Sequence, residues 1–200
     1  MSRSDTDGLD RRAVVAELLR DTADTPGGEL LVVTGLGSTT YDAGAAGDRP
    51  ENFYLWGAMG GAAMIGLGIA LAQPSRRVLV VTGDGEMLMG MGALSTVAAR
   101  APGNMSIVVM DNGQFGETGQ QASHTALGTD LAAVAAACGW KTTMTLTRMD
   151  EVVALRPRLR REVIFAVIRI STAEVARFLP PRDGATLTTR FRAALGIAPD

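Results

Sequence analysis

The sequence predicts an α/β fold: a single open, mostly parallel six-stranded sheet with helices on both faces. Three observations carry this. Short, continuous apolar runs end in glycine or a turn residue, as strands buried on both faces do. Between them lie longer stretches with apolar residues three and four apart. The two kinds alternate along most of the chain, and that alternation is the mark of parallel strands joined by crossover helices.

In chain order, "RRAVVAELLRDT" (11–22) predicts a helix whose stripe is Val14, Val15, Leu18 and Leu19. "ELLVVTG" is the first buried strand and "NFYLW" a short second one. A helix over 58–72 follows, apolar all round but built of glycine and alanine, and is expected between layers. "RVLVVTGDG" is a strand, then a helix over 87–100 places Leu88, Met91, Leu94 and Ala98 on one face. "MSIVVMDN" is a strand and "TDLAAVAAACG" a helix closed by Gly139. "KTTMTL" is a strand, and "TRMDEVVALRPRL" a helix with Thr147 and Asp150 at capping spacing. "VIFAVIRI" is the last strand, and "TTRFRAALG" a short terminal helix after Pro180 and Pro181. A chain of 200 residues suits one domain, with its core over about 10–172 and a tail over 173–200.

Composition excludes some partners. Lys+Arg 19 against Asp+Glu 21 gives a net charge of -2 with no basic block, which argues against nucleic acid. The uncharged stretch over 52–75 is diluted by glycines, Gln73 and Pro74, too weak for a membrane span. The polar N-terminus lacks the apolar core of a signal peptide, and Cys138 has no second cysteine to pair with. A cytoplasmic location is expected.

Ligands of such sheets bind at the carboxyl ends of strands. The loops there are "TGLGSTT", "TGDGEM" and "DNGQFGETGQQASHT". Asp84 stands between glycines that permit a tight turn and close ligand approach, and the helix beyond begins with unpaired amides. Asn112 follows 28 positions later (112 − 84), at the end of the next strand. If those strands are neighbours, a carboxylate, an amide oxygen, a backbone carbonyl, water and two phosphate oxygens complete magnesium's octahedral shell. Alone, Asp-Gly and Asn-Gly are ordinary turns. Their order around one helix and one strand sets them apart.

"GDG", a helix, a strand and then "DN" resembles the thiamine diphosphate motif, and "FYLWGAMGGAAMIGLGIAL" is similar to the segment that family places around the cofactor's pyrimidine. "DNGQFGETGQQASHTALGTDLAAVAAACG" is most similar to small subunits of the sulfopyruvate and phosphonopyruvate decarboxylase group. The resemblance spans Leu30 to Ile170 and implies thiamine diphosphate and Mg2+ as cofactors. Asp84 and Asn112 would hold the metal through side chains and Gln114 through its carbonyl. Gly83, Gly85 and the backbone of Glu86 would face the diphosphate, with the Glu86 carboxylate turned away. Gly57 would accept from the pyrimidine amine, and Met59, beyond Ala58, would support the bent cofactor. Gly35 and Ser38 in the first loop, and Phe115 and Gly116 in the third, would line the same site.

In that family the activating glutamate lies on a separate pyrimidine-binding domain, for which this length leaves no room. Glu17, Glu29 and Glu51 match no motif. A second subunit is therefore expected to carry it, in a heterotetramer or larger hetero-oligomer. The implied reaction is decarboxylation of a small 2-oxo acid; carbon–carbon bond formation of the acetolactate synthase kind would use the same residues. The loop over 113–128 offers Glu117, Gln121 and His124 as catalytic candidates, with Gly116 and Gly119 as hinges. It has no basic side chain for a sulfonate or phosphonate. Two rival readings are a non-catalytic cofactor-binding subunit and a nicotinamide-binding domain. "VVTGLGSTT" has G-x-G for the latter, but Thr40 stands at the third glycine.

Overall fold

The apolar runs are strands whose side chains alternate between two cores. The structure, a computed structural model, describes residues 8–197. Its strands are β1 (Leu31–Thr34), β2 (Asn52–Tyr54), β3 (Val78–Gly83), β4 (Met105–Asp111), β5 (Gln114–Phe115), β6 (Gln121–Ala122), β7 (Thr143–Leu146) and β8 (Phe165–Arg169). Six of these form one sheet in the order β2-β1-β3-β4-β8-β7, every neighbouring pair parallel. β5 and β6 make a small antiparallel hairpin inside the loop after β4.

The helices are α1 (Arg11–Leu18), α2 (Ser38–Ala46), α3 (Ala62–Ala72), α4 (Asp84–Met89), α5 (Ala93–Arg100), α6 (Leu131–Ala137), α7 (Met149–Leu159) and α8 (Gly184–Ala194). Val78 and Val80 of β3 join a core with Leu67 of α3, Leu94 of α5 and Leu131 of α6. Leu79 and Val81 point the other way, to Val14 and Leu18 of α1, Ala43 of α2 and Leu155 of α7. The period of two in a strand thus divides one apolar run between two helical layers. α8 wraps the β2 edge, sending Leu187 into one core and Phe191 into the other. Among the described residues no helix is long and apolar enough to cross a membrane.

Several elements differ from the sequence reading. α3 begins at Ala62, because Ala58 (φ 56) and Gly60 (φ 90) are left-handed and no right-handed helix passes through them. It is also one-sided rather than enclosed: Met64 and Leu71 are exposed while Ala63, Gly66 and Ala70 are buried. The helix expected over 87–100 is two, parted at Gly90, where a Cβ would lie 2.3 Å from the Gly60 carbonyl oxygen. α2 was not foreseen; its buried side includes Thr39, Thr40, Tyr41 and Asp42, with no apolar stripe to announce it. Asp42 pairs with Arg11 and Arg12 of α1, an ion-pair cluster that attaches α2 to α1. The cap of α7 is made by Glu151, whose Oε2 accepts from the amides of Thr147 and Arg148, and not by Thr147 with Asp150. The terminal helix, α8, starts earlier and is longer than expected, with Asp183 as its N-cap.

Candidate functional site

Two loops diverge where the strand order reverses. After β1 the chain turns to α2 on one face; after β3 it turns to α4 and α5 on the other. Such a reversal opens a crevice at the carboxyl ends of the strands. Here it holds a cleft of about 220 Å³. β3 and β4 pair with Gly83 opposite Met110, so Asp84 and Asn112 emerge side by side, and both line that cleft.

Asp84 is 2% exposed. Ser123 Oγ donates to its Oδ2, and Thr125 Oγ1 lies 3.1 Å from the same oxygen, which leaves Oδ1 for a ligand. Burial and the nearby Asp111 push its carboxyl up to about 6, against the opposing pull of those hydroxyls. Asp111 is fully buried too, but Arg169 at the end of β8 pairs with it. No cationic side chain pairs with Asp84 among the described residues. A buried carboxylate lacking a cation is costly, and this one opens on a cleft. Ser123, Thr125, Asp111 and Arg169 escaped the sequence reading; the small hydroxyls of "SHT" and the Asp preceding Asn112 were the available signals.

Asn112 Oδ1 accepts from the Gln114 amide at 3.0 Å, an Asx turn that aims the residue and leaves its oxygen a second lone pair. Gln114 sits in β5 and lines the cleft with it. No cluster of three or more His, Cys, Asp and Glu that could hold a metal occurs among the described residues. One carboxylate, one amide oxygen and one carbonyl still suit magnesium, which takes few protein ligands and keeps waters or phosphate oxygens. The donor set fits.

The cleft also gathers Ser38, Met59, Gly83, Gly85, Glu86, Phe115, Gly116 and Glu117 from the expected set. Gly83 leaves open space where a Cβ would be, while Gly85 makes room for the Phe115 ring, whose Cδ1 a Cβ would meet at 2.6 Å. The Glu86 carboxylate does turn inward: it is 3% exposed and bonds Thr82 Oγ1 at 3.0 Å and the Leu36 amide at 3.1 Å. Burial raises its pKa against those bonds.

Other expected residues lie elsewhere. Gly35 does not line the cleft; it is buried, and its missing Cβ is the space the Glu86 carboxylate occupies. Gly57 and Ala58 are exposed beside Met59 and outside the cleft. Gln121 is exposed, tied to Thr118 within the hairpin loop. His124 is exposed, its ring edge-on to Phe115 at 6.3 Å, and it lines neither the cleft nor the recess beside it. Thr40, at the third glycine position of a dinucleotide loop, is buried and donates to the Gly35 carbonyl at 2.7 Å.

A recess of about 560 Å³ adjoins the cleft and shares Ser38, Asn112, Gln114, Gly116 and Glu117 with it. Two basic side chains line it that loop-by-loop reading missed. Arg11 comes from α1, and Arg177, over the Tyr41 ring at 5.6 Å, from the segment before α8.

Comparison with known proteins identifies the family. Residues 37–170 match the family described as thiamine pyrophosphate enzyme, C-terminal TPP binding domain. The chain is 44% identical over 138 residues to phosphonopyruvate decarboxylase of Streptomyces viridochromogenes, covering 69% of this chain and 32% of that protein. It is 36% identical over 129 residues to sulfopyruvate decarboxylase subunit beta of Methanocaldococcus jannaschii, covering 64% of this chain and 68% of that one. Among solved structures, benzoylformate decarboxylase from Polynucleobacter necessarius superposes with a TM-score of 0.70 at 18% identity, over 85% of this chain and 34% of that chain. The chain thus spans about a third of the phosphonopyruvate decarboxylase it matches.

Proposed function

The chain belongs to the thiamine pyrophosphate enzyme family, of which it carries the C-terminal TPP-binding domain; from that premise we propose that it is the cofactor- and magnesium-binding subunit of a decarboxylase acting on a small, 3-substituted 2-oxo acid. The observation that carries this is Asp84: buried, with no cationic side chain paired to it among the described residues, and opening on the cleft with Asn112 and Gln114. A magnesium ion there would neutralise the carboxylate and hold the diphosphate beside Gly83 and Gly85. Bound thiamine diphosphate supplies an electron sink, so that carbon dioxide can leave the substrate. Met59 and Phe115 give the cleft apolar walls that exclude water, while Ser38 and Asn112 supply polar contacts.

The activating glutamate would come from a partner with the pyrimidine-binding domain. Glu86 is no substitute, since its carboxylate is committed to backbone and Thr82 donors. Met89 lines the cleft and, with Met91, flanks the Gly90–Gly60 contact; both are exposed, as is Met64 on the first turn of α3, an apolar rim that a partner subunit would cover. The substrates named for the two decarboxylase relatives carry a phosphonate or sulfonate, and Arg177, which lines the adjoining recess, would receive such a group. Action in the cytoplasm accords with the free Cys138.

Titration with thiamine diphosphate, with and without magnesium, tests the reading. Wild-type chain should bind only with the metal, and Asp84→Ala should lose that dependence. An unchanged dissociation constant in the variant would refute the metal site. Adding a glutamate-bearing partner should then confer release of carbon dioxide from the 2-oxo acid. Binding without turnover in the complete complex would leave a non-catalytic subunit.

A further inference from the structure

Glu86 accepts hydrogen bonds from three separate elements. Its Oε1 takes the Ala62 amide at 3.3 Å, and its Oε2 takes the Leu36 amide at 3.1 Å and Thr82 Oγ1 at 3.0 Å. Ala62 is the first residue of α3, whose N-cap, Gly61, provides no side-chain bond. A helix start leaves its amides without intrahelical partners, so an acceptor must come from elsewhere. Here it comes from α4, 24 residues along the chain. Leu36 lies in the turn leading to α2, whose N-cap, Gly37, likewise provides no side-chain bond.

From these contacts we infer that Glu86 is a positioning residue, fixing the two loops that present Ser38 and Met59 to the cleft relative to the neighbouring Asp84. The carboxylate acts through backbone amides and touches no reacting atom. It has a dedicated space: at Gly35 an added Cβ would lie 1.7 Å from Glu86 Oε2 and 2.8 Å from its Cδ. Gly35 has no left-handed φ, so alanine there meets the carboxylate without meeting backbone strain. Glutamine at 86 keeps the shape but turns an NH2 toward a donor, leaving either the Leu36 or the Ala62 amide without an acceptor. The inference rests on the cofactor reading of the cleft, and the experiment separates the two.

Hydrogen exchange on the cofactor-free chain and titration with magnesium thiamine diphosphate would be measured for wild type, Glu86→Gln, Gly35→Ala and the double variant. Loss of a charge-assisted bond corresponds to about tenfold or more. The Leu36 and Ala62 amides should therefore exchange at least about tenfold faster in each single variant, with β3 and β4 amides as protected as before. Cofactor affinity should fall by a similar factor, and the double variant should be little worse than either single one, because both remove the same clasp. Unchanged protection of Leu36 and Ala62 in a folded Glu86→Gln overturns the inference, as does additive loss in the double variant. Should Glu86→Gln not fold, Thr82→Val, which deletes one donor at nearly constant volume, must still loosen the same two amides; if it does not, the clasp is wrong. Failure of wild type to bind cofactor would sink the cleft reading and leave the exchange result to judge the clasp.

Discussion

Asp84 and Asp111 share one hydroxyl: Thr125 Oγ1 lies 3.1 Å from Asp84 Oδ2 and 2.8 Å from Asp111 Oδ1. A hydroxyl has a single proton to donate, so it serves one acid at a time. Arg169 answers the charge of Asp111, while Asp84 has no cationic side chain among the described residues and relies on neutral donors, the Ser123 hydroxyl and a half-share of Thr125 among them. In the proposed site a magnesium ion at Asp84 would answer the second charge.

Asp84→Asn should accordingly stabilise the cofactor-free chain at neutral pH, by on the order of 2 kcal/mol from the upward displacement of its carboxyl, while abolishing magnesium-dependent binding. Urea unfolding at pH 7 checks the first half and titration the second. A less stable variant would mean that Asp84 already has a compensating partner within the chain. The opposition of stability and binding is a familiar feature of functional sites.

Two glycines of α3 should respond in opposite directions. At Gly66 a Cβ would lie 2.3 Å from Val80 Cγ2, so the close approach of α3 to the sheet depends on it. Gly66→Ala should destabilise by about 1–3 kcal/mol through overpacking. Gly68 is exposed with nothing within 4 Å, and Gly68→Ala should stabilise by about 0.5–1 kcal/mol through helix propensity. Thermal melts of the two variants side by side decide it.

Docking of α8 should weaken in acid. Arg190 grips Asp48 with both terminal nitrogens, at 2.7 and 2.8 Å, and that bond holds the Asp48 carboxyl below its ordinary value despite partial burial. A carboxyl lowered in the folded state contributes stability above its unfolded value, and loses it as pH falls through the folded one. The window opens just below 3.8. The Trp56 indole donates to the Pro181 carbonyl just before α8, so its emission reports the docking. In a Trp140→Phe background, emission should shift to the red as pH drops below that point. Arg190→Ala should remove the acid transition; its persistence would place its origin elsewhere.

His124→Ala should change magnesium-dependent cofactor binding by less than about twofold, as surface substitutions generally do. The side chain is exposed and lines neither the cleft nor its recess. A loss of tenfold or more in the titration would require the hairpin loop to bring His124 inward when the cofactor binds.

Much of this molecule was legible from its residues. β1, β3, β4 and β8 stand where the apolar runs are, because a strand buried on both faces needs an unbroken run and little else resembles one. Asp84 and Asn112 were legible for the same reason, lying at the ends of two such runs. α2 was illegible, since Thr39, Thr40 and Asp42 are buried through hydroxyl bonds and ion pairs to distant residues rather than by an apolar stripe. The break at Gly90 depends on Gly60, thirty positions earlier, which no local pattern records.

By itself, then, the sequence determined the alternation of strands and helices, the loops at the carboxyl ends of the strands, and the places of Asp84 and Asn112 just beyond β3 and β4. Those follow from periodicity and turn chemistry, which act within a few residues. Only the tertiary structure decided that no cationic side chain pairs with Asp84 among the described residues, that the Glu86 carboxylate is spent on Leu36 and Ala62, that Arg11 and Arg177 meet in one recess, and that His124 stays outside. Each is a matter of which distant groups share a small, water-poor space, where a missing or present partner alters the free energy far more than it would in solvent.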